Sequence, residues 1–206
     1  MIMSVRPILA SSVGKGWQAA WPAARAAGWG RAELIWEQLQ DRANHALSAG
    51  DHAAAVRGFR WAWWLALLAF SRADPRYATS LANAAAADRI VGAEARARRR
   101  YAEALQLWTQ VPAQIGAVDI APRVRSSLFH LRMEARHMQT YEATRRLRLT
   151  AFVNETAETL AALESGRPPP HRHHARWAGE RPPVFDGSRR LLAACLLIAV
   201  STNRTP

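Results

Sequence analysis

Between Asp74 and Trp108 the sequence lays two helical stripes on either side of one glycine. Asp74 is placed to cap the first helix, and Pro75 to hold its first position, where a missing N–H costs nothing. Tyr77, Leu81, Ala84 and Val91 mark one face of that helix. Beyond Gly92, the residues Ala97, Tyr101, Ala104, Leu105 and Trp108 recur at helical spacing. Ala85, Ala97 and Ala104 are small where two helices have to approach closely. Neither helix buries its stripe alone, so the hairpin needs neighbours of the same kind, as one unit of a stacked array does.

The order of small and large residues around the turn glycine resembles a tetratricopeptide repeat (TPR). The family's signature falls on Ala85, Gly92, Ala97, Tyr101 and Ala104, and again on Ala43, Gly50, Ala55, Phe59 and Ala62. Gly50 and Gly92 are 42 residues apart, longer than the usual period of about 34. This spacing is similar to the kinesin-light-chain type of repeat, whose second helix is extended. The resemblance covers roughly residues 31–165. It implies an all-α fold, a short α-solenoid of TPR-like helix-turn-helix hairpins with N- and C-terminal extensions.

On this reading residues 1–30 form an Ala/Gly/Trp-rich extension, in which Trp17, Trp21 and Trp29 cover the end of the array. The repeats occupy about 31–72, 74–110 and 122–165. Residues 166–188 form a Pro/His/Arg-rich linker, and 189–206 hold a short apolar helix capped at Ser188. In the first unit Ile35, Leu39, Ala43, Ala46 and Leu47 are expected to face inward. The helix after His52 carries Val56, Phe59, Trp63, Leu67 and Phe70 on one side. Trp61, Trp64, Leu65 and Leu68 occupy another, so it is apolar nearly all round. Such a helix is expected to be buried inside the array. The second reading is a homodimer interface through the Trp61/Trp64 face. The third unit is degenerate: it lacks a turn glycine, and its two helices are expected at Val124–Met138 and Thr140–Glu164, one helix running through Gln139 being the alternative.

Alanine, leucine and arginine dominate, and Val/Ile/Thr-rich alternation is missing, which favours helix over sheet. The net charge of +12 comes almost wholly from arginine, Lys15 being the one lysine. It predicts adhesion to acidic proteins, nucleic acid or anionic lipid at low salt. A nucleic-acid-binding role would use the twelve arginines from Arg89 to Arg148. Few aromatics are interleaved with them for base stacking, and some, as Arg99 beside Glu103, suit helix-face ion pairs. A single cysteine, Cys195, excludes an intramolecular disulfide and agrees with a reducing compartment. The first residues lack the apolar core of a secretory signal, so the cytoplasm is the expected location. The apolar runs Trp61–Phe70 and Leu191–Val200 are too short to span a bilayer. The latter is expected to pack as a terminal cap. A shallow membrane attachment through Arg189–Val200 is the alternative.

Chemistry-bearing clusters are sparse, and no enzyme or cofactor is expected. His130, Glu134 and His137 share a helix face and form a weak divalent-metal candidate. The spacing is not HExxH, and a polar stripe with a His130–Glu134 hydrogen bond accounts for it equally. His171, His173 and His174 sit in the linker without an acidic or cysteine partner. Cys195 lies among leucines, where its thiol should be inert. The TPR resemblance implies a peptide-binding groove lined by the first helix of each pair. It places Gln40, Asn44 and Asn83 at groove positions, the two asparagines matching those that hold a peptide's backbone or terminal carboxylate in the carboxylate-clamp subset. Gln40 stands where that subset has lysine. With Arg89, Arg132 and Arg136 nearby, amides would pair with an extended backbone and guanidiniums with acidic side chains. The expected role is a non-enzymatic adaptor that binds an extended or acidic segment of another protein.

Overall fold

A computed structural model of the chain describes residues 21–120, 135–170 and 187–200. Within these residues all regular structure is helical. Residues 21–26 form a short helix, followed by α1 (Arg31–Ser48), α2 (His52–Ala69), α3 (Pro75–Ile90) and α4 (Glu94–Trp108). A 3-10 helix (Pro112–Ala117), the long α5 (Ala135–Glu164) and α6 (Gly187–Leu196) complete the order.

The helix boundaries follow from local chemistry. The Asp74 carboxylate accepts the N–H of Arg76 at 2.9 Å, with Pro75 at the first position of α3. Asp51 does the same for α2, accepting the N–H of Ala54. Gly50 and Gly92 turn the chain at φ +80° and +76°, a region that residues with a Cβ seldom enter. Each turn reverses the chain, giving the antiparallel hairpins α1/α2 and α3/α4, and α2 packs against α3. In the first hairpin Gly58 lies so close to α1 that an added Cβ would stand 2.8 Å from the Cβ of Ala43. The small residues therefore set the helix separation.

The α4 stripe is buried as its spacing requires: Ala97, Tyr101, Ala104 and Trp108 are inaccessible, and the Trp108 indole donates to Val153 O of α5. Leu149, Val153 and Leu160 of α5 join the same core. Before α1, Trp29 is buried with Ala24 against Leu34, and Trp21 packs on them, while Trp17 lies outside the described residues.

Four expectations are corrected. Val91 is exposed, because α3 has already ended at Ile90. The α2 face bearing Trp61, Trp64, Leu67 and Leu68 is exposed rather than buried, since α1 and α3 cover only the opposite side. No helix break occurs at Gln139, which α5 passes without interruption; residues 121–134 lie outside the described part. The inward face of α1 is wider than expected: Leu39, Ala46 and Leu47 pack half-buried on the core, and Ile35 does not join it. Leu34, Trp36, Glu37, Gln38 and Gln40 are the buried residues, together with Ala43.

Successive first helices lie side by side and parallel. Arg76 donates to Glu33, Trp36 to Ser80, and Asn83 to Gln40, linking residues 43, 44 and 43 apart. That offset matches the 42-residue separation of the two turn glycines. Across the surface that α1 and α3 form together lies α6.

Candidate functional site

The surface between α1 and α3 is polar, and polar groups there need partners. Ser80 Oγ accepts from Trp36 Nε1 at 2.6 Å and Gln40 Nε2 at 3.2 Å, and donates to Arg76 O at 2.8 Å. Asn83 Nδ2 donates to Gln40 Oε1 at 2.7 Å. These bonds fix both amides before any ligand is considered.

Their remaining capacity is taken by the chain's own segment 187–200. Asn83 Nδ2 also donates to Leu197 O, and its Oδ1 accepts the N–H of Ala199, both at 2.7 Å. Asn44 Nδ2 donates to the same Leu197 O at 3.0 Å and to Gln40 O within its own helix. Thr79 Oγ1 donates to Ala194 O at 2.7 Å. The carbonyls of Ala194 and Leu197 belong to the end of α6, where intrahelical donors have run out. The groove side chains thus cap α6 and bind the non-helical stretch after it.

Apolar burial locks the segment in place. Leu191, Ala194, Cys195 and Ile198 enter the core formed by α3, α4 and α5; Ala193 and Leu197 pack on Trp36, Ala62 and Ala66; Ala199 reaches Phe59 and Ala87. Leu191, Leu197 and Ile198 together contribute roughly 5–9 kcal/mol of hydrophobic stabilisation before ordering entropy is subtracted. The segment packs on the helices, but between α1 and α3 rather than as a terminal cap, and its helix begins at Gly187, with Ser188 inside it and accepting from Arg145 instead of capping it.

The groove is electrically polarised. At its first end, Arg189 Nη2 meets the fully buried Glu37 at 2.9 Å, and Arg190 and Arg76 share Glu33 at 2.8 and 2.7 Å. Burial pushes the Glu33 carboxyl up, but the Gly30 N–H and the two guanidiniums outweigh it and hold it below its ordinary value of 4.5. A depressed carboxyl contributes stability above the unfolded value and loses it as pH falls through the folded one. Acid titration below pH 4.5 should therefore weaken the wild-type fold more than that of Glu33→Gln. Denaturant midpoints at neutral and acid pH measure this, and parallel curves would refute it.

At the other end, beside Val200, a cleft of about 650 Å³ is lined by Arg89, Arg98 and Arg167 over Leu47, Ile90 and Leu163, with Glu94 also in its wall and paired with Arg89 at 3.5 Å. Arg89 donates to Leu163 O at 2.9 Å and lies over the Tyr101 ring. Arg98 and Arg167 are exposed.

Of the expected groove residues, Gln40, Asn44 and Asn83 converge on one backbone segment, while Arg89 stands at the cleft beyond it. Arg132 lies outside the described residues, as do the side chains of Arg136 and His137 and all of His130 and Glu134. The linker histidines His171, His173 and His174 lie outside as well. Among the described residues no group of three or more His, Cys, Asp or Glu side chains is placed to hold a metal. None of the described helices is long and apolar enough to cross a membrane.

Trp36, Glu37, Thr79 and Ser80 belong to the site without having been anticipated. Their signal was a polar stripe on otherwise apolar helices, which sequence alone does not distinguish from a solvated face. Part of the basic charge is internally matched. Asp88, nearly inaccessible, binds Arg96 at 2.8 Å and Arg100 at 2.7 Å; Glu103 pairs with Arg72 rather than Arg99. Burial, opposed by a Thr156 hydrogen bond and reinforced by Glu155, pushes the Cys195 thiol up to about 12.

Comparison with protein-family models, with curated proteins and with solved structures returned no match.

Proposed function

We propose that the chain is a non-enzymatic, TPR-like interaction module, a short solenoid of stacked hairpins whose α1/α3 groove grips an extended segment of a partner protein. The observation that carries this reading is the Asn83 side chain, which holds a peptide backbone from both sides, at Leu197 O and at the Ala199 N–H. This mode reads main chain and asks little of side chains. The 187–200 segment is then the groove's intramolecular occupant, and a partner gains entry by exchange with it. The favoured partner segment starts basic, opposite Glu33 and Glu37, continues apolar, and turns acidic where it enters the Arg89/Arg98/Arg167 cleft.

Cys195 reports the exchange, because alkylation needs the segment to leave the groove. In the full chain under native conditions, a synthetic peptide RRLLAAALLIAVDDE should raise the rate of Cys195 alkylation in a saturable way. It competes with a tethered segment whose effective concentration is on the order of millimolar, so concentrations in that range are required. A peptide with its two arginines replaced by glutamate should be at least about tenfold weaker. No acceleration by either peptide would overturn the exchange reading.

A further inference from the structure

The outward face of α2 has no use in the groove. Arg57, Arg60, Trp61, Trp64, Leu67 and Leu68 fall within about 120° of the helix circumference, and all six are exposed. Trp64 is 60 % accessible and Leu68 85 %, values far from those of core residues. The face is also sorted along its axis: the arginines come first, the indoles next, the leucines last, over about 16 Å from Arg57 to Leu68. No acidic residue occurs between Asp51 and Asp74. Among the described residues the guanidiniums of Arg57 and Arg60 have neither a hydrogen bond nor an ion pair.

We propose that this face docks the protein on an anionic membrane surface. A lipid–water interface matches its gradient. The guanidiniums meet lipid phosphates, the indoles sit at the headgroup level with their N–H groups hydrated, and Leu67 and Leu68 reach the first acyl carbons. The C-terminal end of α2 thus tilts into the interface without spanning it, as the helix is not long and apolar enough to cross. A second copy of the chain is a poorer occupant. A two-fold contact through the same face would bury Arg57 and Arg60 against a surface carrying no carboxylate, and an unpaired buried charge is strongly unfavourable.

The net charge of +12 makes some adhesion to anionic vesicles inevitable, so the test separates the apolar contribution from the charge. The full chain is floated with vesicles of phosphatidylcholine alone and of phosphatidylcholine mixed with phosphatidylglycerol. Two variants accompany it, Trp61→Ser/Trp64→Ser/Leu68→Ser, which keeps every charge, and Arg57→Ser/Arg60→Ser, which keeps every apolar group. Because all five side chains are exposed, circular dichroism should show both variants folded. The parent is expected to float with the anionic vesicles only. The triple variant should bind at least about tenfold more weakly, and the double variant should lose several-fold affinity and much of its salt dependence. Equal flotation of parent and triple variant would overturn the proposal, leaving adhesion by net charge elsewhere. Equal binding to uncharged vesicles would overturn the role of the arginines. A parent that sediments as a dimer and does not float, with a monomeric triple variant, would assign the face to self-association instead.

Discussion

Asn83→Ala is expected to accelerate alkylation of Cys195 in the otherwise native protein by about a hundredfold. The substitution leaves the Ala199 N–H without its acceptor and removes a donor each from Gln40 Oε1 and Leu197 O. All of this occurs in a buried setting. Leu197 O keeps the Asn44 amide, so the loss is not three full bonds. An orphaned buried group costs about 1–3 kcal/mol, and the set together about 3 kcal/mol. At 1.4 kcal/mol per factor of ten, that is about two decades in the population of the released segment. Native Cys195 is fully buried with its thiol pushed up to about 12, so the baseline rate is low and the change easy to read. A rate within a factor of two of wild type would mean that Asn83 does not hold the segment.

The second large effect concerns the Glu37–Arg189 pair. Glu37 is fully buried and the Arg189 side chain retains 7 % exposure. Removing one partner strands the other charge, so Glu37→Leu is expected to destabilise the fold by about 3–5 kcal/mol. The double change Glu37→Leu/Arg189→Met replaces the pair with apolar groups of similar size. It should recover most of that loss, because two desolvation penalties vanish along with the attraction. Urea unfolding of wild type, both single variants and the double variant closes the cycle. Additive losses in the double variant would show that the two side chains do not act as a pair. Against a typical total stability of about 5–15 kcal/mol, the single change brings the protein close to unfolding. The pair therefore marks the groove end at which α6 is anchored.

Both effects bear on how the groove is used. Its occupant is covalently attached, apolar and hydrogen-bonded along its backbone, so any partner meets a filled site. On the proposed exchange, anything that loosens the segment admits a partner, and acid would loosen it through Glu33, whose carboxyl Arg76 and Arg190 share. On the same proposal an incoming chain would start displacement at the cleft beyond Val200, where the segment leaves the groove.

The all-helical architecture could be read from the sequence because its signals are local. Asp74 and Pro75 start a helix by backbone chemistry, Gly92 ends one by its φ, and the Ala97–Trp108 stripe needs only a 3.6-residue period to be seen. Gln40, Asn44 and Asn83 could also be singled out, as amides on the first helices of the two hairpins. What occupies them could not. The bond from Asn83 to Leu197 joins residues 114 apart, and no periodicity records such a pairing. The same distance hid Glu37 and Trp36, on which α6 packs, Trp36 being enclosed by Ala62, Ala66 and Phe70 as well. It also misdirected the reading of α2. A helix apolar on every side looks buried, yet only its neighbours determine how many of its sides are covered, and here one is left open. Sequence alone determined where α2 and α3 begin, where the two hairpins turn and which faces are small, since each rests on contacts within a few residues. Tertiary structure alone decided that the last apolar segment fills the groove and that the tryptophan face stays outside, because both depend on which surfaces remain after the helices have packed.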